Sequence, residues 1–285
     1  MRIYYINPDG NRFDLWGGIE VTQVSGVNPS CAVTMNENAF GDGADYIGER
    51  INSRNIVLTL YPCCDYDEAR LRLGKIFYGN GEGTLGFIYD DNDDNEERRI
   101  SCRFESMTAV LAARPGTMQV SLLCGDPYFI KDGALTLVCG DNAMWEFDDW
   151  ELPEEDAFEF GKLSSGLSAF ISNDGETDAG CIIRAEVKSS VNGIKIVQAS
   201  SKEYIALRGT FSAGEIITID TRPRRKAIRL SSVTSDTETD IMPRLIWGSA
   251  FFSVPRGGCR VYAALDNGSD ALNITIKLDE RYRGV

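Results

Sequence analysis

The sequence predicts a mainly β protein of two domains in series, the first with one helix against a sheet and the second a sandwich or jelly roll. Three observations predict it. Apolar and polar residues alternate over short runs through the chain, the period of a strand with one face turned inward. A single stretch, residues 65–79, has helical spacing instead. Near the middle of the 285 residues, a β-type run ends at the turn Gly125-Asp126-Pro127, and Tyr128 and Phe129 follow at once, where a domain boundary is expected. Each half is long enough to bury its own core.

In residues 54–61, Ile56, Leu58 and Leu60 share one face while Val57, Thr59 and Tyr61 share the other. Both faces are apolar enough for a strand covered on two sides. The helix follows. Asp65 is placed as N-cap, with Glu68 three residues on as a variant capping box. Ala69, Leu73, Ile76 and Phe77 form its apolar stripe, and Gly79 is expected to stop it. Such a stripe needs a sheet to cover it. Ile100, Cys102 and Phe104 then alternate with Arg99, Ser101, Arg103 and Glu105, and Val120, Leu122 and Cys124 repeat the pattern.

Two loops in this half are acidic or Gly-rich. Residues 90–97 carry Asp90, Asp91, Asp93, Asp94, Glu96 and Glu97. Read as a calcium loop from Asp90, they place Asn95 where Gly belongs and Ser101 where a bidentate Glu belongs, so the match fails. A solvated hairpin tip joining 85–89 to 98–105 is expected. Gly41-Asp42-Gly43-Ala44-Asp45-Tyr46 does not lie between a strand and a helix, so it reads as a mobile surface loop rather than a phosphate cradle.

Residues 140–165 interleave Trp145, Phe147 and Trp150 with acids from Glu146 to Asp156. Aromatics beside carboxylates suit a sugar, or a glycosidase acid pair, but adjacent residues in an irregular segment do not specify the separation of such a pair. A linker whose aromatics pack on a domain or neighbour is expected. Beyond it the strands are short: 183–187, 194–198, 204–207, 216–220, 227–230, and a final one with Leu272, Ile274, Ile276 and Leu278 inward. That rhythm suggests a sandwich or jelly roll. The basic run Thr221-Arg222-Pro223-Arg224-Arg225-Lys226 lies between two strands and reads as a charged hairpin loop rather than a phosphate patch.

Composition removes much chemistry. There is no histidine, which excludes Ser-His-Asp and Cys-His catalysis and every His-containing metal site. No C-x-x-C pair occurs among the eight cysteines, which disfavours a zinc ribbon. Cysteines such as Cys102 and Cys124 occupy inward strand positions, as small hydrophobes do. The vicinal Cys63-Cys64 has no basic neighbour to lower a thiol pKa. A net charge of −14 repels phosphate and disfavours nucleic-acid binding. The absence of an 18-residue apolar run and of a leader at the start leads to an expectation of no membrane span and of cytoplasmic synthesis. No catalytic, metal-binding or cofactor-binding residue is expected, and the chain is not expected to be an enzyme.

In order and spacing, these pieces resemble the distal tail protein of long-tailed phages, the Dit family of siphophage baseplates. The resemblance rests on the loop 41–50 leading into the strand at 54, on Arg70, Leu73 and Phe77 in the helix, on Gly83-Thr84-Leu85 opening a hairpin, and on Leu123-Cys124-Gly125-Asp126-Pro127-Tyr128-Phe129 closing the domain. In the second half it rests on Asn173-Asp174-Gly175-Glu176, on residues 214–221, on Val254-Pro255-Arg256-Gly257-Gly258-Cys259, and on the ending Arg281-Tyr282-Arg283-Gly284-Val285. Residues 131–167 fall outside it.

The resemblance implies an N-terminal β-sandwich with one helix (1–130), an acidic aromatic linker (131–167), and a C-terminal galectin-like sandwich (168–285). It implies a structural hub of a phage or prophage tail tip, a homohexameric ring made in the bacterial host cytoplasm. Its partners would be the major tail tube protein, the tail-associated lysin or fibre hub protein, the tape-measure protein and receptor-binding proteins, with DNA passing through the lumen unbound. Gly41, Asp42, Asp45, Asp90, Asp91, Asp93 and Asp94 are then the candidate lumen or inter-subunit contacts. The alternative is a carbohydrate-binding module gripping a host glycan through Trp145, Trp150 or Trp247.

Overall fold

A computed structural model describes residues 1–16, 19–38, 41–63, 65–89, 97–110, 116–139, 168–232, 235–264 and 271–285. They fall into two compact units: Met1–Lys131 together with Arg281–Val285, and Asp132–Glu280. The last five residues therefore return to the first unit, which sequence pattern did not indicate.

The first unit contains β1 (Arg2–Ile6), β2 (Arg12–Asp14), β3 (Ile19–Ser25), β4 (Cys31–Glu37), β5 (Ala44–Ile51), β6 (Arg54–Pro62), α1 (Tyr66–Ile76), β7 (Gly83–Ile88), β8 (Glu97–Val110), β9 (Thr117–Cys124) and the start of β10 (Phe129–Cys139). The ladders are antiparallel. One layer runs β10-β8-β7-β1-β2 and the other β3-β6-β9-β8. The 14-residue β8 serves both: Glu97–Cys102 pair with β7, whereas Arg103–Val110 pair with β9 after an irregularity between Phe104 and Ser106. A bulge at such a corner lets one strand turn from one layer into the next.

Between the layers lies a core that includes Tyr5, Leu58, Leu60, Phe87, Ile100, Val120, Leu122 and Phe129, with Ala69, Leu73 and Ile76 of α1 packed on it. Alternation in β6 holds as expected, with Ile56, Leu58 and Leu60 buried and Val57, Thr59 and Tyr61 half-buried. The helix begins at its expected cap, and only its C-terminal end differs from expectation. The Asp65 carboxylate caps the N–H of Asp67, and the helix stops at Phe77 rather than at Gly79. Phe77 takes an extended conformation and lies against Tyr5, ring centroids 4.6 Å apart. Burying that ring pulls the chain off the helix two residues early.

The tail is fixed by three arginines. Arg281 makes two bonds of 2.8 and 3.0 Å to Asp126 and lies 4.0 Å from the ring of Tyr128, so it clamps the Gly-Asp-Pro turn. Arg98 donates to the carbonyl of Gly284 at 2.9 Å and lies over Tyr282. Arg54, buried at the start of β6, donates to the carbonyls of Val27 at 2.6 Å and Arg283 at 2.7 Å, with its guanidinium 4.9 Å from the Phe129 ring. Burial lowers its pKa from the ordinary arginine value.

The second unit contains the later part of β10 and β11 (Ser168–Ile171), β12 (Cys181–Val187), β13 (Val191–Gln198), β14 (Tyr204–Phe211), β15 (Glu215–Asp220), β16 (Ala227–Ser232), β17 (Ser235–Asp240), β18 (Cys259–Ala264) and β19 (Leu272–Tyr282). One sheet runs β17-β16-β15-β12-β19, with β10 beside β19, and the other runs β11-β18-β13-β14. Inward residues of both sheets, among them Ile183, Ala185, Ile196, Phe211, Ile217 and Leu272 through Leu278 at alternate positions, make one core. This is the aligned-sheet sandwich that the short strands predicted.

Two buried groups give these cores a pH limit. Burial pushes the Tyr5 hydroxyl up from 10.0 to about 12 and the Cys181 thiol up from 9.0 to about 12. Both are neutral when protonated, so their contribution is intact below those ordinary values and is lost as pH rises toward about 12. Denaturant midpoints should fall steadily through that alkaline window, and Tyr5→Phe should remove part of the slope. A flat profile would contradict the assignment.

Candidate functional site

The most unusual surface is the hairpin of β4 and β5. The two strands pair only with each other, in register from Cys31↔Ile51 to Glu37↔Ala44, as a separate two-stranded sheet. A bond from Asn52 N–H to the Ser30 carbonyl closes the base. Gly43, at φ +93°, makes the tip with a backbone angle that other residues rarely adopt. The register slips between Thr34 and Met35, leaving Ile47 as the extra residue of a bulge. Val33, Met35, Tyr46 and Ile47 are 52–65% exposed. Met35 and Tyr46 are direct cross-strand partners, with Val33 two residues from Met35 on the same side. A lone hairpin is marginal in water, and one with four apolar side chains outward is built to be covered.

The sequence read residues 41–50 as a loop; the structure confines the turn to 41–43 and makes Ala44–Ile51 a strand. Gly41, Asp42 and Asp45 all lie at its exposed end, Asp45 paired with Asn36. Asp90, Asp91, Asp93 and Asp94, and likewise Trp145 and Trp150, lie outside the described residues. Trp247 is described and is 96% exposed, on a loop of the second unit far in sequence from the hairpin. The exposed apolar residues of the hairpin were missed because alternation counts for a strand only when one face is inward. Their signal was the run Ala32-Val33-Thr34-Met35, with β-branched Val33 and Thr34, ahead of a Gly-Asp-Gly turn.

The basic run 221–226 resolves without a phosphate site. Arg222 grips Asp220 through Nε at 3.0 Å and Nη2 at 2.7 Å, and reaches Asp279 through Nη1 at 2.8 Å. Thr221 accepts from the Cys181 N–H at 2.9 Å. Lys226 lies 5.6 Å from the Phe251 ring. Cys102, Cys124, Cys181 and Cys259 are buried thiols, while Cys31 and Cys63 are exposed. Among the described residues, no group of three or more Cys, Asp or Glu is placed to hold a metal ion, and no helix is long and apolar enough to cross a membrane.

Comparison with known proteins relates the second unit to a family and the whole chain to known folds. Residues 174–282 match the family of the siphovirus-type tail component, C-terminal domain. The crystal structure of Dit (gp 19.1) of phage SPP1 superposes with a TM-score of 0.69 at 16% identity, covering 98% of each chain. A chain of the phage P2 baseplate in its activated conformation with Ca superposes at 0.60 with 12% identity, over the full length of both. The same baseplate with Sr gives 0.57 at 11% identity, covering 100% of this chain and 99% of that one. No curated protein sequence matches significantly. The second unit thus carries a siphovirus-type tail-component domain, and the chain shares the fold of SPP1 Dit and of the P2 baseplate chain.

Proposed function

We propose that this chain is the hub of a siphophage tail tip. Six copies form a ring that joins the tail tube to the baseplate and the host-adsorption apparatus. The observation that carries the reading is the fold shared along 98% of its length with SPP1 Dit, the paradigm of a hub adsorption apparatus in phages infecting Gram-positive bacteria. Its partners would be the tube protein on one side, and on the other the tail-associated lysin or fibre protein, with the tape-measure and receptor-binding proteins also in contact. It would be made in the host cytoplasm and end in the virion tail tip.

The hairpin of the first unit supports a ring. A heterologous contact, in which one patch meets a different patch on the next copy, closes into a ring when the rotation allows. The exposed Val33, Met35, Tyr46 and Ile47 supply an apolar contact for it. Gly41, Asp42 and Asp45 at the tip, with Asp90, Asp91, Asp93 and Asp94, would line the lumen or the seam. At −14 per copy, six copies carry −84 formal charges, and acids on the lumen wall would keep passing DNA from adhering.

Light scattering on the purified protein tests the ring, with a mass near six times 31.5 kDa expected at high concentration. Tyr46→Asp with Ile47→Asp should return it to single copies while leaving the thermal midpoint unchanged, because both side chains are exposed. A concentration-independent dimer, indifferent to those changes, would overturn the proposal.

A further inference from the structure

The sheet β11-β18-β13-β14 of the second unit has an outward face unlike the rest of the chain. Its strands read Ser-Ala-Phe-Ile, Cys-Arg-Val-Tyr-Ala-Ala, Val-Asn-Gly-Ile-Lys-Ile-Val-Gln and Tyr-Ile-Ala-Leu-Arg-Gly-Thr-Phe. Not one residue is acidic, in a chain with 43 acids, while Lys195, Arg208 and Arg260 are all exposed. Neither Lys195 nor Arg260 has a carboxylate partner among the described residues.

Aromatic rings lie among these cations. Register places Ser168, Tyr262, Val197 and Tyr204 in one row across the four strands, with Phe170 and Arg260 beside it. Cys259, Val261 and Ala263 point into the core, so Tyr262 points out, 40% exposed, and Phe170 is 55% exposed. Gly258, at φ +92°, immediately precedes β18 where a side chain would meet the Ile171 carbonyl and the Phe170 ring. Lys195 Nζ lies 4.4 Å from the Tyr204 ring centre. At the far edge, Ile246 N–H and Ala250 N–H bond to Ala206 O and Tyr204 O, which projects the 96% exposed Trp247 beside the same row. Tyr262 and Tyr204 lie two strand spacings apart, about 10 Å.

Exposed rings set apart among cations do not make the continuous apolar centre of a protein interface, from which lysine is depleted. They suit a ligand with flat carbon faces to stack and negative groups to pair. We infer that this face binds a carboxylate-bearing polysaccharide, stacked on Phe170, Tyr262 and Trp247 and paired with Lys195 and Arg260. The inference is independent of the ring, because every residue in it belongs to the second unit.

Affinity electrophoresis of the full chain in gels containing polygalacturonate, dextran, polyglutamate or oligothymidylate tests it. Polygalacturonate alone should retard the protein strongly. Phe170→Ala with Tyr262→Ala should weaken that retardation about tenfold, as removal of an aromatic anchor does. Lys195→Gln with Arg260→Gln should weaken it and abolish its salt dependence. Phe170→Tyr with Tyr262→Phe should retain it, which separates loss of rings from loss of fold. Absence of retardation, retardation unchanged in the Ala variants, or equal retardation by dextran, polyglutamate or oligothymidylate would each overturn the inference.

Discussion

Arg54→Met should cost about 3 kcal/mol of stability in the first unit, because two hydrogen bonds from a charged donor are lost and two carbonyls are left to find other partners. Those carbonyls belong to Val27 and Arg283, residues far apart in sequence and brought together by one side chain. Methionine fills much of the volume beneath, next to Phe129, so the loss reports the bonds more than a cavity. Urea unfolding would measure it, and amide exchange at 281–285 would show where it acts. Deleting 281–285 should cost more, since it also removes the Arg281–Asp126 pair and the Arg98–Gly284 bond, and Arg54→Met added to the deletion should cost less than Arg54→Met alone. Additive losses would show that Arg54 acts elsewhere.

Arg222→Leu should be nearly as costly, at about 2–4 kcal/mol, for the opposite electrostatic reason. Asp220 and Asp279 share this arginine, and the Asp279 side chain is only 12% exposed. Without it two mostly buried carboxylates face each other unpaired. Changing all three together, with Asp220→Asn and Asp279→Asn, should restore much of the loss. Denaturant midpoints of the single and triple variants decide the matter, and a triple variant no better than Arg222→Leu would refute the shared-charge account.

These two arginines show where sequence reading stops. The inward faces of β6, β9, β12 and β19 were legible because each strand carries its own period, and burial of Ile56, Val120, Ile183 and Ile276 follows directly. Arg222 was legible only as a charge in a basic run. Its partner Asp279 lies 57 residues away, and nothing local announces that pairing. Arg54 stood at the head of a well-read strand, yet its partner Arg283 is 229 residues distant. The end of α1 went astray by two residues because a tertiary contact, Phe77 against Tyr5, outweighed the glycine signal. The candidate site was half-legible. Asp42 and Asp45 marked the tip of the hairpin, but its outward apolar residues violate the rule by which strands are recognised.

The return of Arg281–Val285 to the first unit sets an order of events during synthesis. Those residues leave the ribosome after all of Asp132–Glu280, so the β-sandwich that starts at Met1 waits for its final piece while the intervening unit is made and folds. Until then Arg54 and Arg98 have no tail to hold. A chain cut short anywhere in the second unit would present an unfinished first unit, which proteases remove faster than a closed one. Only chains read through to Arg281 and beyond would then hold a closed first unit, a length check enforced by the carbonyls of Arg283 and Gly284.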